Sequence, residues 1–130
     1  MNSVNILIID DSAVLRRSLR SALQQQPEWI VCGEAENGRE GIDKALQLQP
    51  NVIVIDLIMP VMNGIEATRV LKRLLPATPL VMFTTFTDAF LSKEALAAGV
   101  DALIPKSDDA EPLIQNIKAL ASNVPPASAA

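Results

Sequence analysis

Short apolar runs alternate with amphipathic segments along almost the whole chain, and this alternation limits the fold more than any other feature. The apolar runs predict strands at residues 4–10, 29–35, 51–57, 79–84 and 101–105. The segments between them have apolar residues at helical spacing and predict helices at residues 13–25, 37–50, 65–75, 88–98 and 109–122. Because parallel neighbours need crossover connections, we predict a doubly wound α/β sandwich: five parallel strands with helices on both faces.

The helical segments also predict which side chains face the sheet. Pro27 and Pro76 are expected to stop the first and third helices, and Gly99 to close the fourth. The apolar residues expected to point inward are Leu15, Leu19, Ala22 and Leu23 in the first helix, Ile42, Ala45 and Leu46 in the second, Ala67, Leu71, Leu74 and Leu75 in the third, and Leu113, Ile114, Ile117 and Leu120 in the fifth.

Length and composition describe one globular domain over residues 1–122, with a tail at 123–130 that is expected to be disordered or the stub of a linker. No apolar stretch approaches a membrane span, and no signal peptide precedes the first strand. The single cysteine, Cys32, is expected to be a buried and inert thiol, which suits a cytoplasmic protein.

Charge and residue types exclude several functions. The net charge is −4, and the small arginine and lysine groups at 16–20 and 69–73 have the spacing of solvated helix faces, which argues against direct nucleic-acid binding. The chain has no histidine, so histidine-based catalysis and histidine metal ligation are excluded.

Polar residues follow the predicted strands at the edge where sites form in such sheets. Asp10 and Asp11 end the first strand, Asp56 the third and Thr84 the fourth, and Lys106 follows the fifth. Neighbouring carboxylates would repel one another without a cation, and Mg²⁺ prefers such oxygen ligands. A lysine and a hydroxyl could bind a phosphoryl group. The alternative for the acid pair alone is a helix cap, together with the serine that follows it.

The stretches IIDDS, DLIMPVMNG, MFTT and AAGVDALIPK closely resemble the response-regulator receiver domain of two-component signalling, a CheY-like domain, over residues 4 to about 121. The resemblance implies a flavodoxin-like strand order of 2-1-3-4-5. It implies that Asp56 accepts a phosphoryl group from a sensor histidine kinase or a histidine phosphotransfer protein. It implies no enzyme activity beyond the domain's own phosphorylation and slow autodephosphorylation.

The resemblance also implies a metal site. Asp11 would bind Mg²⁺ directly and Asp10 mainly through water, while Asp56 and the backbone carbonyl of Ile58 would complete the ligands, with Mn²⁺ as an alternative ion. Pro60 and Gly64 would shape the loop after the acceptor, the glycine by adopting backbone angles that other residues avoid.

Switching would begin at Lys106, which pairs with a phosphoryl oxygen, and at Thr84, which shifts toward it. The surface of helix four, strand five and helix five would then act on a downstream protein, on an effector domain outside this chain, or on a second copy in a phosphorylation-dependent homodimer. The sequence departs from the family pattern at Leu103, where an aromatic residue is frequent, and at Thr85 and Ser107.

Three other functions compete with this hypothesis. A dehalogenase-type hydrolase needs a second acid two residues after the nucleophile, where this chain has Ile58. A flavin-binding relative would place its phosphate loop where Asp10 and Asp11 lie, and these would repel the phosphate. A pseudo-receiver that serves only as an interaction module is the remaining alternative, although each acceptor-site residue is present.

Overall fold

The computed structural model describes residues 3–86 and 88–122. The predicted tail at 123–130 lies outside this part of the chain. None of the helices in the described residues is long and apolar enough to cross a membrane.

Five strands alternate with five helices, as the sequence predicts. The strands are β1 (Val4–Ile9), β2 (Trp29–Ala35), β3 (Val52–Ile55), β4 (Leu80–Thr84) and β5 (Ala102–Pro105). The helices are α1 (Ala13–Leu23), α2 (Gly38–Leu48), α3 (Gly64–Leu74), α4 (Ala89–Ala98) and α5 (Glu111–Ser122). All neighbouring strands pair in parallel, and their order is β2-β1-β3-β4-β5. The predicted fold class and strand order are confirmed.

The sheet separates two hydrophobic cores because successive strand residues point to opposite faces. On β1, Leu7 and Ile9 lie in the core that also contains residues of α2, α3 and α4, whereas Ile6 and Ile8 lie in the core that also contains residues of α1 and α5. Each of these four side chains is fully buried, and burial of one such side chain stabilises the fold by about 1.5–3 kcal/mol. The central strands are therefore held rigidly, and so are the residues that follow them.

Side-chain caps fix where the helices begin. Ser12, Asn37, Asn63 and Asp88 each accept a hydrogen bond from a backbone N–H in the first turn of α1, α2, α3 and α4. Each cap satisfies an N–H group that has no partner within the helix. Gly99 ends α4 in the left-handed conformation, as predicted.

Two side chains expected in the core are exposed instead. Leu46 in α2 is 43% exposed, and Leu74 at the end of α3 is 49% exposed. Leu46 lies about 100° around the helix from the buried Ala45, which places it at the margin of the contact face. Helix α1 also ends at Leu23, before the predicted residue 25 and well before Pro27.

The single cysteine lies on the edge strand of the sheet. Cys32 is partly buried, and its thiol donates a hydrogen bond to the Ile6 carbonyl oxygen at 3.5 Å. Burial raises the pKa of Cys32, which favours the protonated and unreactive thiol that the sequence predicts.

Candidate functional site

Three carboxylates meet at the carboxyl edge of the sheet. Asp10 follows β1 and Asp56 follows β3, and these strands are neighbours. The Asp56 backbone N–H donates to the Ile9 carbonyl oxygen at 2.9 Å, which aligns the two strand ends. One carboxylate oxygen from each of Asp10, Asp11 and Asp56 lies within 4.8 Å of the others. The acidic pocket predicted from the sequence is formed by these three residues.

Lys106 joins two of the three acids. Its Nζ lies 2.9 Å from Asp10 Oδ2 and 3.1 Å from Asp56 Oδ2. Its backbone N–H donates to the Thr84 carbonyl oxygen at 2.9 Å, so the lysine is also fixed to the end of β4. The side chain is mostly buried, and a hydrogen-bonded ion pair in such a place is stronger than one in water. The structure thus brings Lys106 to Asp56 across 50 residues of sequence.

Burial and charge act in opposite directions on these groups. Burial raises the pKa of Asp10 above its usual value, although the hydrogen bonds from Lys106 and from the Ser12 N–H oppose it. Burial alone would lower the pKa of Lys106, but the bonds and charges of Asp10 and Asp56 outweigh it and raise the pKa. The pocket therefore favours a charged lysine and stabilises the Asp10 carboxylate only in part, as expected of a site that would also take a cation.

The N-cap of α1 is Ser12 and not one of the two acids, although Asp10 supports the same turn. Ser12 is the N-cap of α1, and its Oγ accepts from the Leu15 N–H at 3.1 Å. Asp10 Oδ1 supports this turn by accepting from the Ser12 N–H at 2.9 Å. Asp11 is exposed, and its side chain accepts no hydrogen bond within residues 3–86 and 88–122. Its carboxylate is therefore accessible to an ion from solvent.

The donor set fits a hard divalent cation. The three carboxylates offer only oxygen atoms, and one of them, Asp11, is open to solvent. Mg²⁺ binds through one or two carboxylates, retained waters and phosphate oxygens, which matches such a half-open pocket. Ile58 follows in the loop between β3 and α3, and the contribution of its carbonyl to a metal site stays a prediction.

The other residues that the sequence singles out lie on or after the strands whose ends form this edge of the sheet. Thr84 is the last residue of β4 and is fully buried, and its Oγ1 accepts from the Phe86 N–H at 3.2 Å. The side chains of Ile58 and Phe86 are each 46% exposed. Thr85 is exposed, so it does not crowd the interior of the sheet. Leu103 pairs with Met82 of β4 and packs partly buried against the core beneath α2, α3 and α4.

Gly64 is required because of a close backbone contact, and not because of the unusual backbone angle that the resemblance implies. The expected unusual backbone angle is absent there, since among the described glycines only Gly99 has a positive φ. Instead, a Cβ atom on Gly64 would lie 2.1 Å from the Asp56 carbonyl oxygen. The chain returns so closely to the Asp56 backbone that only a hydrogen atom fits at Gly64. A positive φ occurs nearby at Val61, where φ is 70° and the Met62 N–H donates to the Pro60 carbonyl oxygen at 2.7 Å.

The sequence did not predict the contact of Arg16 with the pocket or its ion pair with Glu34. Arg16, placed on a solvated helix face, is instead largely buried and donates from Nη1 to the Asp10 carbonyl oxygen at 2.6 Å. Its Nε donates to Glu34 Oε1 at 2.9 Å, and Arg20 forms an ion pair with the other oxygen of Glu34. The available signal was the spacing of four residues between the two arginines, which puts both on one face of α1, toward an acid on the neighbouring strand.

Comparisons with known proteins identify the family of this chain. Residues 6–118 match the family described as the response regulator receiver domain. The transcriptional regulatory protein LnrK of Bacillus subtilis is 36% identical over 88% of this chain and 52% of its own length. A protein-glutamate methylesterase/protein-glutamine glutaminase of Carboxydothermus hydrogenoformans is 37% identical over 95% of this chain and 38% of its own length. The chain thus spans about half or less of these relatives.

A solved structure has the same architecture. The response regulator domain of Thermotoga maritima CheB is 31% identical and superposes with a TM-score of 0.87, covering 95% of this chain and 100% of that domain. The family match covers most of the chain and includes each residue of the acidic pocket together with Lys106. This chain therefore belongs to the response regulator receiver domain family of two-component systems.

Proposed function

We propose that Asp56 is the phosphoacceptor of this receiver domain and that its phosphorylation depends on Mg²⁺. The observation that supports this most strongly is the convergence of three carboxylates within 4.8 Å, with Lys106 bonded to two of them. The pocket holds three acids and one lysine, so its negative charge exceeds its positive charge. The excess negative charge suits a divalent cation and a phosphoryl donor.

The reaction is a phosphoryl transfer between two proteins. A carboxylate oxygen of Asp56 attacks the phosphorus atom of a phosphohistidine on a sensor histidine kinase or a histidine phosphotransfer protein. The new P–O bond forms as the P–N bond breaks, and the electron pair of that bond returns to the imidazole ring. The product is an acyl phosphate on Asp56. A bound Mg²⁺, held by Asp10, Asp11, Asp56 and the Ile58 carbonyl, would offset the charge of the phosphoryl oxygens.

The other residues of this chain bind and position the phosphoryl group. Lys106 supplies a fixed positive charge for an equatorial oxygen, and it is already bonded to Asp56 before transfer. Thr84 supplies a hydroxyl donor from the end of β4. Its Oγ1 already accepts a hydrogen bond from Phe86, so its own proton can be donated to a phosphoryl oxygen.

Phosphorylation would shift a two-state equilibrium of the domain. The added phosphoryl group carries roughly −1.5 to −2 charges, and new bonds to Thr84 and Lys106 favour an active arrangement. The output surface is formed by α4, β5 and α5. Strand β5 contacts both helices and β4, and α5 also contacts β4. The downstream partner is a separate protein, an effector domain or a second copy of the chain. Since the related regulator and methylesterase are longer than this chain, an effector domain is the option that we favour.

Acetyl phosphate labelling tests the assignment of Asp56. The wild-type chain should take up the label when Mg²⁺ is present and should take up none when a chelator is present from the start of the reaction. Asp56→Asn should take up none in either case. Labelling that survives the substitution would exclude Asp56 as the acceptor. A wild-type chain that takes up no label would favour the alternative, a pseudo-receiver. Size-exclusion chromatography of the labelled and unlabelled chain shows whether phosphorylation drives dimer formation.

A further inference from the structure

Arg16 connects the acidic pocket to the edge strand of the sheet. Its side chain is 16% exposed and contacts two elements at once. Nη1 donates to the Asp10 carbonyl oxygen at 2.6 Å, and Nε donates to Glu34 Oε1 on β2 at 2.9 Å. Arg20 donates to Glu34 Oε2 at 2.8 Å, so the glutamate is held on both sides. The planar guanidinium makes these bonds in a fixed fork that a lysine cannot reproduce.

The carbonyl that Arg16 contacts belongs to the peptide between the two acids. Because a peptide unit is planar, fixing its oxygen also fixes the direction in which the chain leaves Asp10 and enters Asp11. The Asp10 side chain has its own bonds, to the Ser12 N–H and to Lys106. The Asp11 side chain has none in the described part of the chain, so its direction depends on the backbone.

We propose that Arg16 is a positioning residue for the divalent cation: it holds the Asp10–Asp11 peptide so that the Asp11 carboxylate faces Asp56. This inference rests on the proposed metal site. Removing a residue that orients metal ligands typically weakens metal binding about 10- to 100-fold. The plain effect of charge has the opposite sign, because a guanidinium repels a divalent cation and its loss would tighten binding. Loss of a positioning contact would weaken cation binding and loss of a repelling charge would strengthen it, so the direction of the change in affinity distinguishes the two effects.

The test compares three arginines of α1 that lose the same charge. Arg16→Gln removes the contact to the Asp10 carbonyl. Arg17→Gln is the matched control, since Arg17 is exposed and makes no ion pair in the described residues. Arg20→Gln removes the other bond to Glu34 without a contact to Asp10, so it controls for lost stability. Mn²⁺ affinity is measured by electron paramagnetic resonance of the unbound ion, and urea unfolding verifies each fold.

We expect Arg16→Gln to bind Mn²⁺ at least tenfold more weakly than Arg17→Gln, with Arg20→Gln close to Arg17→Gln. In acetyl phosphate labelling, Arg16→Gln should raise the Mg²⁺ concentration for half-maximal rate and leave the rate at saturating Mg²⁺ nearly unchanged. Equal Mn²⁺ affinity in the Arg16 and Arg17 variants would overturn the inference, and so would an equal loss in the Arg20 variant.

A second variant covers the case in which Arg16→Gln does not fold. Arg16→Lys keeps the charge but offers one ammonium group in place of the guanidinium fork. Weaker Mn²⁺ binding in Arg16→Lys than in the wild type supports the positioning role, and wild-type affinity overturns it. Failure of the proposed function gives a different result, namely a wild-type chain that binds no Mn²⁺ and takes up no label.

Discussion

Gly64→Ala is predicted to disable the acceptor site through a single added methyl group. The Gly64 N–H donates to the Leu57 carbonyl oxygen at 2.7 Å, which holds the start of α3 against the end of β3. A Cβ at this position would lie 2.1 Å from the Asp56 carbonyl oxygen and 3.0 Å from the Leu57 Cα. Both are backbone atoms, so no side-chain rotation can relieve the contact.

The expected loss of stability follows from the short distance between the added Cβ and the Asp56 carbonyl oxygen. Cβ atoms essentially never come closer than 3.0 Å to such neighbours, so the backbones of Asp56 and Gly64 must separate by nearly 1 Å. Forcing extra volume into a packed region costs about 1–3 kcal/mol or more, and the better helix propensity of alanine returns at most about 1 kcal/mol. We therefore expect a net loss of about 2 kcal/mol. Displacing a reacting group by about 1 Å costs around 100-fold in rate.

Gly33→Ala is the matched control. A Cβ there would meet the Leu48 Cδ1 at 2.6 Å, which is the far end of a flexible and partly exposed side chain. It should fold with wild-type stability and label at the wild-type rate. Urea unfolding gives the stabilities, and acetyl phosphate labelling at saturating Mg²⁺ gives the rates. If Gly64→Ala labels as fast as Gly33→Ala, the close approach to Asp56 is not what requires a glycine.

Three further changes are predicted from the structure. Ile58 and Phe86 follow Asp56 and Thr84 by two residues with half-exposed apolar side chains that cannot orient a water molecule, so the acyl phosphate should persist far longer than seconds. Ile58→Asn should shorten its half-life about tenfold, because a hydrogen bond that orients the attacking water and lowers the hydrolysis barrier by about 1.4 kcal/mol raises the rate by a factor of ten. Burial raises the pKa of Glu34, but hydrogen bonds from Arg20 and Arg16 outweigh it and lower the pKa below the ordinary 4.5. The stability that the ionised Glu34 adds is therefore present above pH 4.5 and is lost as the pH falls through its pKa in the folded state. In urea unfolding, the stability of Glu34→Gln should fall below that of the wild type by less in acid than at neutral pH. Val61→Asn should stabilise the domain by about 1 kcal/mol in urea, because a positive φ costs a β-branched residue about 1–3 kcal/mol and asparagine tolerates it better.

Each of these has a control or an opposing result. A wild-type half-life of seconds in Mg²⁺ would refute the shielding by Ile58 and Phe86. A stability deficit of Glu34→Gln that is the same at every pH would show that the ion pairs do not lower the pKa. Val14 is 74% exposed and Val61 is 76% exposed, so Val14→Asn on α1 controls for the loss of an exposed valine. Equal effects of the two substitutions would remove backbone strain as the cause.

The sequence could predict what depends on the strand pattern. Asp10 and Asp56 each follow a continuous apolar strand, and parallel strands bring their carboxyl ends to one edge. Their meeting with Lys106 therefore follows once the strand order is right. The contact of Arg16 with the Asp10 carbonyl depends on how α1 is rotated and on one side-chain rotamer, neither of which the pattern specifies. The need for Gly64 depends on a backbone distance, and the exposure of Leu46 on the width of a helix contact face.

Lys106 links the acceptor chemistry to the proposed output surface. In the unmodified domain its Nζ is shared between Asp10 and Asp56, while its backbone N–H is bonded to the Thr84 carbonyl oxygen. The proposed phosphorylation of Asp56 would replace a carboxylate by a group of higher charge, so the shared ion pair would have to rearrange. Any movement of Lys106 acts on the ends of β4 and β5 together, because its backbone joins them. The joined ends of these strands therefore offer one connection from Asp56 toward α4 and α5, and it does not require an aromatic side chain in place of Leu103.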